Sequence, residues 1–231
     1  INGSMQMDQR SAGAAYTGVT AYTLDRWQVH HSGTNEAPTV TRTDLTKADD
    51  ALPWAAGLRN SLELKNGNQT ATGASDYLGL IYRIESRHIR NCGWDYKDGD
   101  SYITLSFWVK SSVAQNFYGY IRTFDGTSQR YRIETGSLTA NTWTKITKTI
   151  PGNTNLNFDN NTDAGLGIYL HPFWGTSYTS AGGLGLNSWG SYASGTRTPD
   201  NTTTWWTTND ATWELTGVQL EVGKVANDFK P

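Results

Sequence analysis

The sequence predicts an all-β protein, an antiparallel two-sheet sandwich folded as one domain, and three observations carry that prediction. The 231 residues are rich in Thr, Gly, Asn, Ser, Tyr and Trp, a mixture that suits pleated strands and tight polar turns, and strong helix formers are few. Short runs alternate apolar and polar residues with period two. Turn residues separate those runs, while no Pro-rich or charged linker, internal repeat or heptad stretch divides a length that one all-β domain can occupy.

Taken in order, "YTLDRWQVHHSG", "TVTRTD", "NSLELKNG" and "DYLGLIYRIE" read as four short strands. Two stretches read as helical turns: "LTKADDALPWAAGL", which Pro53 interrupts, and "YRIESRHIRNCGWD", one or two turns near a sheet edge. In "DGDSYITLSFWVKSS" the residues Ile103, Leu105, Phe107 and Val109 form a core face against Tyr102, Thr104, Ser106, Trp108 and Lys110. "NFYGYIRTFDGTSQRYRIETG" is a hairpin turning at Asp125 and Gly126, and "TWTKITKTIPG" is a strand ending at Pro151 and Gly152. "AGLGIYLHPFWG" sets Leu166, Ile168 and Leu170 against Tyr169 and His171, with Pro172 as its stop.

Residues 171–212 form a long aromatic-rich loop region, and a loop of that length inside a compact domain is functional or serves assembly. The last strand, 213–222, returns beside an early one, with Val218, Leu220 and Val222 inward and Glu221 bonding backbone near a loop. About ten strands with one long loop make a jelly-roll sandwich over residues 1–231.

Composition excludes several classes of partner. Acidic residues number 21 and basic ones 19, a net charge of −2 that creates no field for nucleic acid or an anionic membrane. No apolar stretch approaches the roughly 20 residues that span a bilayer, so no membrane insertion is expected. Cys92 is the only cysteine; it excludes an intrachain disulfide or a cysteine-based zinc cluster and reads as a small buried residue.

No catalytic or cofactor motif stands out. G-x-S-x-G, H-E-x-x-H and P-loop patterns are absent, and "GGLGLNSWG" lacks the strand-to-helix context of a phosphate cradle. Adjacent His30 and His31 point to opposite faces of a strand and cannot chelate one metal as a pair. Asp159, Asn161 and Asp163 open like a calcium loop, but Ala164 and Leu170 stand where Gly and a bidentate Glu belong, so a solvated turn is expected there. Glu221 has no second carboxylate marked out as a partner for acid catalysis. The expectation is a protein that is not an enzyme, with no metal and no cofactor.

The opening "NGSMQMDQR" followed by "YTLDRWQV", the middle "YITLSFWVKSS", the strand "TWTKITKTIPG" and the ending "WELTGVQLEVGKVANDF" occur in that order in certain bacteriophage virion proteins, and over nearly its whole length the chain resembles their tail-fibre or capsid-fibre domains. It departs from the commoner pattern at Asn227-Asp228 and Lys230-Pro231, where small, apolar and acidic residues are expected. The resemblance implies a jelly-roll similar to that of carbohydrate-binding modules, a place in the virion outside the cell, other virion proteins as partners, a homotrimer, and a longer fibre chain of which this is the C-terminal part. The start at Ile1 rather than Met fits that last expectation.

Aromatic residues supply the candidate site. Trp27, Trp108 and Trp143 lie in strand patterns and read as packing residues. In the loop region, Trp174, Tyr178, Trp189, Tyr192, Trp205 and Trp206 stand among hydroxyls and amides, with Asn187, Asp200 and Asn201 as hydroxyl partners. Flat apolar rings beside amides and carboxylates are what a sugar site uses. The functional expectation is a non-catalytic fibre domain that binds a host-surface glycan. The alternative is a structural virion appendage whose aromatics serve subunit assembly.

Overall fold

The computed structural model describes residues 2–10, 21–181 and 185–229. It is the expected all-β jelly-roll sandwich. The strands are β1 (Ala21–Tyr22), β2 (Trp27–Ser32), β3 (Thr39–Asp44), β4 (Asn60–Lys65), β5 (Tyr77–Glu85), β6 (Tyr102–Ser111), β7 (Asn116–Thr123), β8 (Gln129–Ser137), β9 (Thr144–Pro151), β10 (Ala164–Trp174), β11 (Thr179–Ser180), β12 (Trp189–Ser191), β13 (Thr198–Pro199) and β14 (Thr212–Val222). Three short helices, α1 (Ala51–Ala55), α2 (Ser86–Arg90) and α3 (Thr204–Thr207), lie among them.

Seven strands form one sheet in the order β1-β2-β5-β10-β7-β8-β12, and five form the other in the order β3-β4-β14-β6-β9; every pairing within both is antiparallel. The core lies between them. Ile103, Leu105, Phe107 and Val109 of β6 are buried in it, as their alternation predicts, and the hairpin at Asp125 and Gly126 joins β7 to β8. Pro53 sits inside the single turn of α1, and α2 is one turn at the end of β5.

Two departures from simple alternation bear on the site and on the core, one in β10 and one in β14. Pro172 does not stop β10: the strand runs on to Trp174, with an irregularity against β5 between Leu170 and Phe173. Proline is tolerated at such a point because the bulge leaves a ladder position without a donor. The shift exchanges the faces, so Phe173 enters the core and Trp174 comes to the outer side next to His171.

In β14 the register shifts between Thr216 and Gln219, around Gly217 at φ +61, a conformation that favours glycine. Trp213 and Leu215 face inward before the bulge, and Val218 and Leu220 pack half-buried against the core after it. Val222, expected inward, is paired with the buried Ile103 but is 47% exposed, on the wall of an open cavity that Ile103, Val218 and Leu220 also line. The strand is central, paired with β4 on one side and β6 on the other, so the chain closes its second sheet with its last element. Glu221 accepts hydrogen bonds from the backbone N–H and side-chain amide of Asn227, at 3.0 and 2.9 Å.

Cys92 is exposed rather than buried, lying just beyond α2 with its Sγ–H directed to the Ile89 carbonyl. The loop region 171–212 is not structureless: it holds the end of β10, then β11, β12, β13 and α3. No helix among the described residues is long and apolar enough to cross a membrane.

Candidate functional site: the outer face of the seven-stranded sheet

A strand whose inner residues fill the core sends the alternate residues outward. In β5 these are Tyr77, Gly79, Ile81 and Arg83; in β10, Gly167, Tyr169 and His171; in β7, Tyr118, Tyr120 and Arg122; in β8, Arg130 and Arg132. Antiparallel register arranges them in rows: Gln28, Ile81, Tyr169, Tyr120 and Arg132 in one, and Arg83, Gly167, Arg122 and Arg130 in the next. The result is a second, aromatic cluster on the outer side, with Ile81, Tyr120, Tyr169 and Trp174 buried and Tyr77, Phe124, Tyr178 and Tyr192 half-buried against them.

The rings are ordered by contact. Tyr120 and Tyr169 stack with centroids 4.5 Å apart, and His171 stacks on Trp174 at 4.0 Å. Tyr77 meets Trp174 at 5.2 Å, Tyr178 at 5.4 Å and His30 at 4.4 Å. Gly79 and Gly167 make room for this packing: a Cβ on Gly79 would lie 2.3 Å from the His171 ring, and one on Gly167 would lie 2.8 Å from the Tyr169 ring.

Residues 175–181 and 185–200 fold back over part of this face. Arg130 donates to the carbonyls of Ala193, Thr196 and Ser191, and Arg132 to those of Gly185 and Thr196. These two arginines fasten the loop by the charge-assisted donors a guanidinium offers. The loop returns three cation–π contacts: the Arg197 guanidinium lies 4.4 Å from both the Trp174 and Tyr178 rings, and that of Arg122 lies 3.8 Å from Tyr192. Half-open to solvent are His30, Tyr77, Arg83, Arg122, Tyr178, Tyr192 and Arg197.

Positive charge predominates on the face, although Glu134 of β8 stands on the same side. Among the described residues, no carboxylate pairs with Arg83, Arg122, Arg130, Arg132 or Arg197; the ion pairs are Arg87 with Glu85 and Lys110 with Asp50 and Glu214. Burial, with help from the Arg197 and Arg83 charges, lowers the His30 pKa to about 4. Burial and the neighbouring His30 and Arg197 hold His171 well below the usual histidine range, so both imidazoles are neutral at pH 7. His30 Nδ1 and His171 Nε2 lie 3.4 Å apart. Buried polar atoms without a hydrogen-bond partner gather here as well: His171 Nδ1, Trp174 Nε1 and Arg197 Nε.

The residues picked out in the sequence divide among three places. Trp174, Tyr178 and Tyr192 belong to this face. Asn201 joins Trp174 in lining a small cavity of about 80 Å³, where Asn201 Oδ1 and Trp174 Nε1 both lack partners. Asp200 is exposed and accepts from the Thr179 hydroxyl; Asn187 is exposed, in left-handed conformation at φ 55, with its N–H on the Arg132 carbonyl.

Trp189 lies elsewhere, at the sheet edge, packed on Tyr131 with Nε1 bonded to the Pro151 carbonyl at 2.7 Å. Trp205 and Trp206 are corrected outright. Both are 0% exposed in the core beneath α3, with their indole N–H groups on the Thr212 and Ala71 carbonyls, and they present no face to a ligand.

Sequence reading missed His30, Tyr77, Tyr120, Tyr169, Arg83, Arg122 and Arg197. For Tyr77, Arg83, Tyr120, Arg122 and Tyr169 the signal was present in the strands already found, where outward positions repeat Tyr and Arg: "YLGLIYR", "YGYIR", "RYRIE" and "GIYLH". Among the described residues no group of His, Cys, Asp and Glu is placed to hold a metal ion.

No family model matches the chain, and no curated protein matches it by sequence. Solved structures do. The chain is similar to the enzymatically active domain of tailspike protein 4 from bacteriophage CBA120, at TM-score 0.44 and 13% identity over 86% of this chain, though it spans only 20% of that one. It is similar to a putative sugar binding protein from Bacteroides thetaiotaomicron, at TM-score 0.43 and 11% identity over 94% of this chain and 99% of that one. It is also similar to the family 11 carbohydrate-binding module of a cellulosomal cellulase from Clostridium thermocellum, at TM-score 0.36 and 14% identity over 92% and 97% of the two chains.

Proposed function

We propose that this chain is a non-catalytic carbohydrate-binding domain whose site is the outer face of the seven-stranded sheet. One observation carries the reading: half-open rings of Tyr77, Tyr178 and Tyr192, with His30, stand over a buried floor of Ile81, Tyr120, Tyr169 and Trp174. A floor already packed holds the rings above it in place, so binding costs little ordering. Tyrosine faces receive the C–H side of a pyranose, and Arg, His and amide groups around them supply donors for hydroxyls.

In a bacteriophage fibre such a domain serves attachment to a host-surface glycan. Each ring contributes on the order of 1 kcal/mol, so one site is weak, and three copies in a homotrimer raise the avidity. The test is a glycan array with the parent chain and with Tyr77→Ala and Tyr192→Ala, each first shown to keep its melting temperature. Saccharide binding by the parent, weakened about fivefold in either variant, supports the site. Binding that both variants retain in full places it elsewhere.

The assembly reading has its own observation. Leu52, Val222 and Val225 are 56%, 47% and 71% exposed, apolar surface of the kind subunits cover. If mass measurement finds a trimer that Val225→Asp disperses while the array stays blank, the chain is a structural appendage.

A further inference from the structure

We propose that the saccharide taken by this face is an anionic one, its acidic group received by the guanidinium groups of Arg197 and Arg83 beside the His30 and Tyr77 rings. The inference rests on the carbohydrate-binding reading and narrows its ligand class.

Five arginines share the face, and they are not alike. Arg130 and Arg132 spend their N–H groups on loop carbonyls and are structural. Arg197 has no such use. Its guanidinium lies between the Trp174 and Tyr178 rings, yet its side chain makes no hydrogen bond or ion pair with a described residue, and its Nε is buried without a partner. Stacking holds the plane of a guanidinium and leaves its N–H edges to meet a planar anion in the two-pronged manner that carboxylate and phosphate oxygens accept.

Arg83 donates to the Gln28 side chain at 2.6 Å and has no carboxylate partner. Gln28 and His30 stand at alternate positions on the same face of β2, and the Trp174 ring on which Arg197 stacks lies 6.2 Å from the His30 ring, so the two guanidinium groups border His30 from either side. Arg122 extends the field. It lies two strands from Arg83, about 10 Å at the usual strand spacing, with Gly167 between them.

Nearby carboxylates are engaged. Glu134 accepts from the Asn116 amide, Asp200 from the Thr179 hydroxyl, and Glu85 pairs with Arg87. Three guanidinium groups without a counter-charge, beside aromatic platforms and neutral imidazoles, form a site complete in everything except an anion. A sugar carrying a carboxylate, sulfate or phosphate supplies it, and a neutral glycan leaves the arginines as they are.

The experiment is affinity electrophoresis of the whole chain in gels containing polygalacturonate, alginate or hyaluronate, each also as its methyl ester, with dextran sulfate and phosphomannan as the other acidic groups and dextran, galactan and xylan as neutral controls. The expected result is retardation by at least one acidic polymer, at least about tenfold weaker for its ester or unsubstituted counterpart, and lost between about 50 and 500 mM salt. Arg197→Gln abolishes the preference, and Arg197→Lys restores part of the retardation without the fork geometry. The acid and ester comparison needs no variant, so a misfolded substitution does not decide the outcome.

Retardation by neutral polymers alone, or equally by acid and ester, overturns the inference and leaves the carbohydrate-binding reading standing. Retardation by none of them overturns both. Which of carboxylate, sulfate and phosphate binds most tightly names the acidic group.

Discussion

The two sheets present very different outer faces. On the five-stranded sheet, Lys110 of β6 sits between Asp50 and Glu214, at 3.2 and 3.0 Å, while Trp143 Nε1 donates to Asp50 at 2.6 Å and Ser61 to Glu214 at 3.3 Å. These three charges are paired with one another. On the seven-stranded sheet Arg122 and Arg197 stack on rings, Arg130 and Arg132 hold a loop and Arg83 donates to Gln28, and none of the five forms an ion pair with a described residue. The first network is closed within the chain, and the second is the one proposed above to meet a ligand.

The largest effect expected from breaking this comparison comes from Lys110→Met. Asp50 and Glu214 would be left close together without their cation, and stripping one member from a buried pair costs about 3 kcal/mol. Arg197→Met on the other face gives up two ring contacts and no hydrogen bond, a loss of about 1 kcal/mol. Urea unfolding at pH 7 measures both. Equal losses would mean that the aromatic face is as structural as the charged one.

The sandwich was legible in the sequence because its strands obey period two where it counts: the core face of β6 and the β7–β8 hairpin stand where the alternation puts them. Half of the candidate site was not. The outward rows of β5, β7 and β10 combine side chains from strands far apart in sequence, and only the sheet order brings Ile81, Tyr169 and Tyr120 together.

Bulges hid more. The irregularity at Pro172 turns Trp174 outward, and a period counted straight through it does not. Trp205 and Trp206 lie in "DNTTTWWTTND", whose Thr and Asn read as loop, but one turn of helix suffices to drive both rings into the core. A local pattern records which residues alternate. It does not record which short turn a pair of large rings has paid for by burial.

Next in size is the response to pH, which separates the faces by sign. His30 has a folded pKa of about 4 against the ordinary 6.5, so its contribution to stability is present above pH 6.5 and is lost as pH falls toward 4. His171, also lowered, acts in the same direction. Lys110 is raised by Glu214 and Asp50 against the opposing effect of burial, so its contribution holds below its usual 10.5 and fades as pH rises above that value.

The acids of the network oppose one another. Asp50, lowered on balance by its hydrogen bonds against the burial that would raise it, contributes above 3.8 and loses that contribution below it; Glu214, raised by burial, contributes most below its usual 4.5. Acid between pH 6.5 and 4 therefore weakens the aromatic face first. Unfolding free energies at pH 7, 5.5 and 4.5 should fall by on the order of 1–2 kcal/mol through His30 once solvent screening is allowed for, and His30→Gln should flatten that slope. A slope that His30→Gln leaves unchanged assigns it to other groups.

The smallest effect divides the aromatic tract itself, since Tyr178 and Trp189 both lie in residues 171–212 but do different things. Trp189, on β12 of the seven-stranded sheet, donates its indole N–H to the Pro151 carbonyl on β9 of the five-stranded sheet and packs on Tyr131, so it ties the sheets together at one edge. Trp189→Phe keeps most of the packing and gives up that one hydrogen bond, which is worth about 1 kcal/mol or less. Tyr178 makes edge contacts to Tyr77 and Trp174 and remains half-open. Tyr178→Ala should therefore leave melting nearly unchanged and weaken saccharide binding about fivefold, while Trp189→Phe should lower the melting temperature slightly and leave binding alone. Melting curves and titration with the tightest saccharide, run on the same two variants, read both quantities. If Trp189→Phe weakens binding as much as Tyr178→Ala, the site reaches the sheet edge, and the division between a ring that fastens the sandwich and a ring that meets the sugar is wrong.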